Sequence, residues 1–367
     1  MLKEKQLMSH KHPHVAIVGA SGAVGLEVIN ILANRHHPQC QLSFYGSQRS
    51  EGSRIQYQDS LIKVEHVDQI IRSDHDFAVL CADAETAIRV RTNLSERIGA
   101  IIDNSSAFRM DPAVPLVIPE VNGHLLGRDT KVIANPNCST IMLLTALNPL
   151  REALGIRNII VTTYQAVSGA GKAGIRELYN QTRAYLNEDS LSPQIFPCSC
   201  AFNVFEHESD IIQATGFNGE ESKIINETHR IWQDPTLSVL PTCVRVPVER
   251  SHSQAVVVEF DEPATLEQIR KVLDRDGIHL VSEGNQLTPR DAANNDDVYI
   301  GRIRLDPGSA GRRALLWICA DQLRKGAALN AIQIMDKLVQ VQLSKNSTES
   351  YSELAKNKTN STHQICT

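Results

Sequence analysis

One cysteine, Cys138, lies where a thiol could act as a nucleophile. It follows an apolar run that is typical of a strand, and a long apolar segment with a helical pattern begins directly after it. Either Asn135 or Asn137 can cap that helix, so the free N–H groups of its first turn face the sulfur. We expect such a thiol to have a lowered pKa and an oxyanion site beside it. The alternative is a small buried hydrophobic side chain.

A glycine-rich loop near the N-terminus indicates a second kind of chemistry, the binding of a dinucleotide. It lies between an apolar run and a helical run, which is the context that the motif requires. Glycines allow a tight turn and a close approach of a pyrophosphate, and the helix N-terminus supplies N–H groups. The predicted cofactor contacts in this loop are Gly19, Ser21, Gly22, Ala23, Val24 and Gly25.

The choice of cofactor depends on the residues that follow the second strand. Enzymes that use NAD usually place an acidic residue there, on the ribose 2′-hydroxyl. Here Arg49 and Ser50 can hold a 2′-phosphate, which favours NADP. Glu51 could instead face the ribose, although a solvated loop position is the preferred interpretation.

Apolar runs alternate with helical stretches through the first part of the chain, and this order predicts a Rossmann-type, doubly wound parallel sheet. The predicted strands are His14–Val18, Leu42–Tyr45, Phe77–Cys81, Ala100–Ile102, Leu116–Ile118 and Val132–Ala134, and the predicted helices are Leu26–Ala33 and Ala84–Arg97.

After Cys138 the pattern predicts an α+β domain with a largely antiparallel sheet. The predicted helices are Thr140–Leu154, Gly171–Leu186, Gly219–Trp232, Thr265–Leu273 and Asp321–Val339. The predicted strands are Asn158–Tyr164, Val239–Val248, Gln254–Phe260, Val298–Leu305 and Arg313–Cys319, of which the second and third look paired. The predicted division is a Rossmann domain at 13–137, with the helix 321–340 packed back on it, a catalytic and dimerisation domain at 138–320, and a disordered tail at 342–367.

Composition excludes several classes of function. The chain has 367 residues, a formal net charge of −5 and no basic surplus for nucleic acid. We find no apolar run long enough to cross a membrane and no apolar segment typical of a signal peptide. Eight cysteines in this length are not a disulfide framework, so a reduced, cytoplasmic protein is expected. No metal is expected, because Cys198 and Cys200 have only His207 close by as a further ligand.

Five short motifs follow one another along the chain. They begin with Asn135-Pro-Asn-Cys138-Ser-Thr140, Tyr164-Gln165-Ala-Val-Ser168-Gly169-Ala-Gly171 and Glu220-Glu-Ser-Lys223, and continue with Arg245-Val-Pro-Val and His252-Ser253. Together they resemble the aspartate-semialdehyde dehydrogenase family in its bacterial form. The blocks follow the family's order and intervals, and the resemblance runs from about His14 to about Leu338. A serine at position 21 is a mild departure from the family's threonine or alanine.

The resemblance implies catalytic roles for three residues. Cys138 would attack the aldehyde carbon, or the acyl phosphate in the reverse direction, and a thioester would follow hydride transfer. His252 would be the general acid/base, since imidazole titrates near neutral pH. Gln165 would orient the substrate beside the thiol, because an amide donates and accepts without a charge.

The resemblance also implies how substrate and cofactor are bound. Arg245 would grip the α-carboxylate, a bidentate task that suits arginine, and Glu220, favoured over Glu221 by its distance from Lys223, would hold the α-ammonium. The residues that would contact phosphate are Arg109, Lys223 and Asn135. Those that would contact the cofactor beyond the glycine loop are Ser168, Gly169 and Gln322.

As a whole, the resemblance implies NADPH-dependent formation of L-aspartate 4-semialdehyde from 4-aspartyl phosphate. This step supplies lysine, threonine and methionine, and diaminopimelate where that pathway exists. A homodimer or homotetramer is expected, with no nucleic-acid or membrane partner. Two alternatives are a related reductase, such as N-acetyl-glutamyl-phosphate reductase, whose substrate has no ammonium for Glu220, and a non-catalytic homologue.

Overall fold

The protein is described by a computed structural model, which covers residues 12–34, 40–94 and 97–341. The first sheet has seven strands: β1 (His14–Val18), β2 (Gln41–Gly46), β3 (Arg54–Tyr57), β4 (Ser60–His66), β5 (His75–Leu80), β6 (Ile98–Asp103) and β7 (Val132–Ala134). Their spatial order is β3-β4-β2-β1-β5-β6-β7, and every neighbouring pair is parallel except β3 and β4. The predicted doubly wound parallel sheet is therefore confirmed.

The helices of this part connect or cover the parallel strands. They are α1 (Ala23–Asn34), α2 (Ala84–Leu94) and the short α3 (Pro119–Asn122), with 3-10 turns at Val67–Arg72 and Gly123–Leu125. The predicted strand Leu116–Ile118 is wrong, because the segment makes only an isolated bridge between Leu116 and Ala134. The β3–β4 hairpin was not predicted, since its half-exposed residues lack the apolar run of a buried strand.

The second sheet also has seven strands: β8 (Asn158–Gln165), β9 (Phe205–Glu206), β10 (Ser238–Arg245), β11 (His252–Glu259), β12 (Ile278–Leu280), β13 (Val298–Leu305) and β14 (Arg313–Ala320). Their order is β12-β13-β14-β11-β8-β10-β9. The β12–β13 and β8–β10 pairs are parallel and the others antiparallel, so the largely antiparallel sheet is confirmed. The predicted pairing of β10 with β11 is wrong, because β8 lies between them.

The helices of the second part are α4 (Cys138–Leu154), α5 (Gly171–Leu186), α6 (Gly219–Trp232), α7 (Leu266–Leu273) and α8 (Pro289–Ala292), with 3-10 turns at Val167–Ala170 and Pro307–Ser309. Helix α4 is buried from Ser139 to Leu150 because one apolar core joins it to β8, β10, β11 and β14. A π-helix at Arg324–Ala328 precedes the last helix, α9 (329–341), so the predicted single helix from Asp321 is only partly right.

Helix α9 packs against the first sheet, where Leu329, Ile332 and Leu338 share a core with Val15 and Ile17. The chain therefore returns from the second sheet to the first, and the π-helix comes to lie beside the start of α4. The domain boundaries at 137 and 320 stay predictions, and the tail at 342–367 lies outside the described residues.

Candidate active site

Cys138 is the first residue of α4, at the end of the connection from β7. Asn137 is the N-cap, and its side-chain oxygen accepts from the N–H groups of Ser139 at 2.9 Å and Thr140 at 3.3 Å. The backbone of the π-helix lies against the cysteine, since a Cβ added at Gly326 would be 3.0 Å from the Cβ of Cys138. The sulfur is thus held between the helix N-terminus and a glycine that permits close approach.

The expected lowering of the Cys138 pKa is wrong for this structure. Burial, together with the carboxylate of Glu220, raises the pKa of the thiol to about 11, although Arg109 and Lys223 oppose the shift. The reason is that a helix end enclosed by the rest of the fold removes water from the thiolate. The thiol is consequently protonated at neutral pH, and it has to lose that proton when it reacts.

His252, the first residue of β11, is completely buried. Its Nδ1 accepts from the N–H of Ala166 at 3.0 Å, while Nε2 has no hydrogen-bond partner among the described residues. Burial and the neighbouring charge of Arg245 lower the pKa of His252 to about 3, so the ring is neutral at physiological pH. A neutral ring that accepts at Nδ1 carries its proton on Nε2, which favours the acid half of the predicted acid/base role.

Gln165 and Glu220 form a buried hydrogen-bonded group. Gln165, at the end of β8, donates from Nε2 to Glu220 Oε1 at 3.2 Å. Asn137 Nδ2 donates to the same oxygen at 2.8 Å, and Lys223 donates to Oε2 at 3.0 Å. Burial alone would raise the pKa of Glu220, but Lys223, His207 and the hydrogen bond from Asn137 lower it to about 2. A permanent carboxylate therefore lies next to the thiol.

The side chain of the neighbouring Glu221 is used within the protein, which favours Glu220 of the two glutamates. Its side chain completes a capping box with Asn218 and accepts from the N–H of Cys243 at 3.0 Å. Only Glu220 faces the group formed with Gln165.

Arg245 ends β10 next to Gln165, because the two residues are paired in register between β10 and β8. Its side chain is 2% exposed. It donates to the carbonyl of Ala166 at 2.8 Å and makes a two-bond contact with the carboxylate of Glu208. Glu208 was not identified from the sequence, and no motif marks it.

Arg109 is buried beside the start of α4, where it holds the connection that leads to Cys138. Its guanidinium donates to the carbonyls of Asn135 at 2.9 Å and Asn104 at 2.8 Å, and to Glu227 at 3.1 Å. Glu227 also accepts from the N–H of Asn137 at 2.6 Å, and burial raises its pKa. The sequence analysis missed Glu227, although it lies seven positions after Glu220 and so near the same face of α6.

Asn135 does not have the geometry of the predicted phosphate ligand. One amide hydrogen goes to Asn104 Oδ1 at 2.8 Å and the other to the carbonyl of Ala327 at 3.2 Å. Its Oδ1 accepts from Asn330 at 2.7 Å, and the residue is 1% exposed. With both hydrogens used, Asn135 connects β7 to the π-helix and α9 instead of donating to a ligand.

The glycine loop fits the pyrophosphate-binding turn that was predicted. Gly19 has φ +79°, and a Cβ there would lie 2.3 Å from the carbonyl oxygen of Cys81. A Cβ at Gly25 would lie 2.3 Å from the carbonyl oxygen of Gly19. Ser21, Gly22, Ala23 and Val24 remain half-exposed at the start of α1, where its first N–H groups can meet an anion.

The second part of the chain also reaches this loop. Lys172, which the sequence analysis did not select, donates to the carbonyl of Ser21 at 2.9 Å. Ser168 accepts from Gln322, which in turn accepts from the N–H of Ser251 at 2.8 Å. The structure therefore brings the buried side chains of Ser168 and Gln322 together beside the residue that precedes His252.

The remaining predicted cofactor residues lie at the surface. Gly169 is exposed, and a Cβ there would approach Nη1 of Arg245 to 2.9 Å. Arg49 is exposed and Ser50 half-exposed in the turn after β2, where Ser50 donates to the carbonyl of Ser47. Their place beyond the end of β2 is that of a ribose contact in this type of sheet.

An ionic network connects the cofactor helix to the loop before His252. Glu27 of α1 accepts from Arg250 at 2.8 Å and from Arg324 at 2.7 Å. Arg250 also pairs with the fully buried Asp321 at 2.6 Å. Ser251, the residue between Arg250 and His252, adopts a left-handed conformation with φ +72°. These charges lie far apart in the sequence, so no local pattern could have revealed the network.

Among the described residues, no group of three or more His, Cys, Asp or Glu side chains could hold a metal ion. Cys200 packs in a small apolar cluster with Val167, Leu178 and Phe196, which is a core role. In the same part of the chain, no helix is long and apolar enough to cross a membrane.

A dinucleotide-binding sheet joined to an α+β domain that carries a thiol, an imidazole and a buried arginine defines a nicotinamide-dependent oxidoreductase. Two family models match the chain, "Semialdehyde dehydrogenase, NAD binding domain" at residues 14–128 and "Semialdehyde dehydrogenase, dimerisation domain" at residues 147–325. The chain belongs to the aspartate-semialdehyde dehydrogenase family, whose members are oxidoreductases that act on an aldehyde group.

Similar proteins cover nearly the whole chain. An aspartate-semialdehyde dehydrogenase of Bacillus subtilis is 39% identical over 342 residues, which are 90% of this chain and 98% of that protein. One from Synechocystis is 40% identical over 330 residues, 89% of this chain and 97% of that protein. The crystal structure of aspartate semialdehyde dehydrogenase II from Vibrio cholerae, complexed with ASA, has a TM-score of 0.86 at 41% identity and covers 90% of this chain and 98% of its own.

Proposed function

We propose that this enzyme converts L-4-aspartyl phosphate reversibly to L-aspartate 4-semialdehyde with NADPH, in lysine, threonine, methionine and diaminopimelate biosynthesis. The observation that carries the proposal is the convergence of Cys138, the Gln165–Glu220 pair and Arg245 at the ends of neighbouring elements. The names of the similar proteins support the same activity.

The chemistry takes place on the sulfur of Cys138. In the biosynthetic direction the thiol loses its proton to solvent and the sulfur attacks the carbonyl carbon of the acyl phosphate. The bond from this carbon to the phosphate oxygen breaks, phosphate leaves, and a thioester remains. Arg109 and Lys223 favour the thiolate, which lowers the cost of losing the thiol proton. A bound nicotinamide supplies hydride for the reduction. The oxygen of the resulting thiohemiacetal takes a hydrogen bond from His252 Nε2, which has no hydrogen-bond partner among the described residues. The thiohemiacetal then loses its hydroxyl proton, the C–S bond breaks, and the aldehyde leaves with the sulfur back on Cys138.

The charges around the thiol match the three ionic groups of the substrate. Arg245 binds the α-carboxylate, and the permanent carboxylate of Glu220 binds the α-ammonium. Arg109 and Lys223 bind the phosphate, since Arg109 keeps guanidinium hydrogens beyond those used on its three protein acceptors. Gln165, held against Glu220, orients the substrate beside the sulfur.

NADP is the proposed cofactor within the nicotinamide class. Arg49 and Ser50 offer a charge and a hydroxyl beyond the end of β2, where a 2′-phosphate would lie. The proposed supports of the nicotinamide half are Ser168, Gly169 and Gln322, to which the structure adds Lys172 on the glycine loop.

We also propose a homodimer or homotetramer in the cytoplasm. The face of the second sheet turned away from α4 leaves Ile160 43% and Leu240 48% exposed, and these two residues are paired in register. Such adjacent apolar side chains favour a subunit contact, in agreement with the matched dimerisation domain. Six of the described cysteines are free thiols, which fits a reducing compartment: Cys81, Cys138, Cys198, Cys200, Cys243 and Cys319.

The test is the reduction of NADP by the purified full chain with L-aspartate 4-semialdehyde and phosphate. Cys138→Ala should lower kcat by a factor of about 10⁴ or more, because the thioester can no longer form. Cys198→Ala, a half-buried cysteine outside the site, is the matched control and should keep the parent's activity. Full activity of Cys138→Ala would refute the mechanism. A preference for N-acetyl-glutamate semialdehyde would refute the substrate.

A further inference from the structure

Arg245 already holds a carboxylate that belongs to the protein. Its Nε donates to Glu208 Oε2 at 3.2 Å, and its Nη2 donates to Glu208 Oε1 at 2.5 Å. This two-bond arrangement is the one by which an arginine recognises a free carboxylate. Burial alone would raise the pKa of Glu208, but the bonds from Arg245 hold it below its usual range, so Glu208 is ionised at neutral pH.

The donors of Arg245 are nearly exhausted by contacts inside the protein. A guanidinium has five N–H groups. Two go to Glu208, one lies 3.0 Å from His207 Nε2, and one goes to the carbonyl of Ala166. One hydrogen on Nη1 is left, so a second carboxylate cannot bind Arg245 through two bonds while Glu208 remains in place.

Glu208 is also the partner that can leave. Its side chain is 24% exposed, whereas that of Arg245 is 2% exposed and lies over the ring of Phe196. It belongs to the connection between β9 and α6. Among the described residues, its side-chain hydrogen bonds come from Arg245, and His207 Nε2 lies 3.9 Å from its Oε1. Glu220 differs, because Asn137, Gln165 and Lys223 all hold its carboxylate.

We propose that Glu208 is a specificity-determining residue, which occupies the fork of Arg245 in the free enzyme and is displaced by the α-carboxylate of the substrate. The proposal rests on the proposed role of Arg245 in substrate binding. Glu208 supplies the counter-charge that a buried guanidinium needs between turnovers. Glu208 also disfavours ligands that lack a suitably placed carboxylate, because such a ligand cannot replace the two charged hydrogen bonds between Glu208 and Arg245.

The displacement has a measurable cost. The apparent affinity for substrate is reduced by the fraction of enzyme in which Arg245 is available. Neutralising Glu208 therefore lowers the KM for the substrate that carries the carboxylate. The KM for phosphate should not change, because phosphate does not use Arg245. Free enzyme should lose stability when the counter-charge is removed, and a dicarboxylate should restore it.

The experiment compares Glu208→Gln with Glu206→Gln, which removes the same charge from an exposed position two residues earlier. With the parent active, Glu208→Gln should lower the KM for aspartate semialdehyde by about tenfold. Its kcat and its KM for phosphate should stay within about twofold of the parent. Its melting temperature should fall without ligand and rise more than the parent's when succinate is added. Glu206→Gln should match the parent throughout.

An unchanged or higher KM for the semialdehyde in Glu208→Gln would overturn the proposal. An unchanged KM would mean that Glu208 has no effect on substrate binding, and a higher KM would mean that it aligns Arg245 for the substrate. If that variant does not fold, Glu208→Asp serves instead. Its shorter side chain weakens the two-bond contact and should lower the same KM to a smaller extent, and an unchanged or raised KM again refutes the proposal. A parent without activity on the semialdehyde would instead refute the proposed function.

Discussion

A single methyl group placed at Gly326 should disturb Cys138, the proposed nucleophile. The added Cβ would lie 3.0 Å from the Cβ of Cys138 and 3.4 Å from its Cα and from the Cβ of Gln322. Such contacts are tighter than carbon atoms normally adopt, so the start of α4 or the π-helix has to move by a few tenths of an ångström. Overpacking of this kind costs about 1–3 kcal/mol in stability. A misplacement of about 1 Å can cost ~100-fold in rate, so for this smaller shift we expect kcat of Gly326→Ala to fall by about 3- to 10-fold.

The assay combines NADP reduction with thermal unfolding of the same preparations. Gly123→Ala is the matched control, because its Cβ would meet nothing closer than 3.9 Å and its φ of −58° suits alanine. The control should keep kcat, while Gly326→Ala loses both rate and a few degrees of melting temperature. A Gly326→Ala enzyme with kcat within about twofold of the parent and an unchanged melting temperature would show that the close approach does not position the thiol.

Three further predictions concern charge. The pKa of Cys138 is raised to about 11, so the rate of its alkylation by iodoacetamide in the free enzyme should rise about tenfold per pH unit between about pH 7 and 9. A rate that becomes independent of pH below about pH 8 would contradict this prediction. Glu227→Gln removes the buried charged partner of Arg109, so the free energy of unfolding in urea should fall by about 3–5 kcal/mol. The KM for phosphate should rise. No change in either quantity would refute the role of Glu227 as the partner of Arg109. Arg49→Glu should lower kcat/KM for NADP relative to NAD by about 10- to 100-fold. The control is Arg54→Glu at another exposed position, which should leave this ratio unchanged. Equal effects of the two variants would show that Arg49 does not contact the cofactor.

Much of the fold could be predicted because local periodicity is strong where one face of an element is buried. The helices Gly171–Leu186 and Gly219–Trp232 and the strand Val298–Leu305 were predicted with the limits that the structure shows. The predictions fail where contacts with segments far away in the sequence determine the structure. Two consecutive strands, β10 and β11, look like a hairpin, but β8 from earlier in the chain lies between them. The π-helix lies against Cys138, a contact with a distant segment that no helical pattern in the sequence records.

The positions of the candidate site could be predicted to the extent that they lie in motifs. Glu208, Glu227 and Lys172 were missed because each acts on a partner far away in the sequence, and a charged residue seen alone is typical of a solvated surface. Asn135 was placed among the ligands because it precedes the cysteine, whereas its amide is used within the protein.

The sequence by itself determined the class of sheet and the glycine turn, and it selected Cys138 as the proposed nucleophile, because each depends on residue types at short spacing. Only the tertiary structure decided the ionisation of the site. Burial and the approach of Glu220 raise the pKa of Cys138, and burial beside Arg245 makes His252 neutral. Removal of water and the proximity of charges from distant segments are properties of the folded chain, so a helix N-terminus read in isolation predicted a shift of the wrong sign.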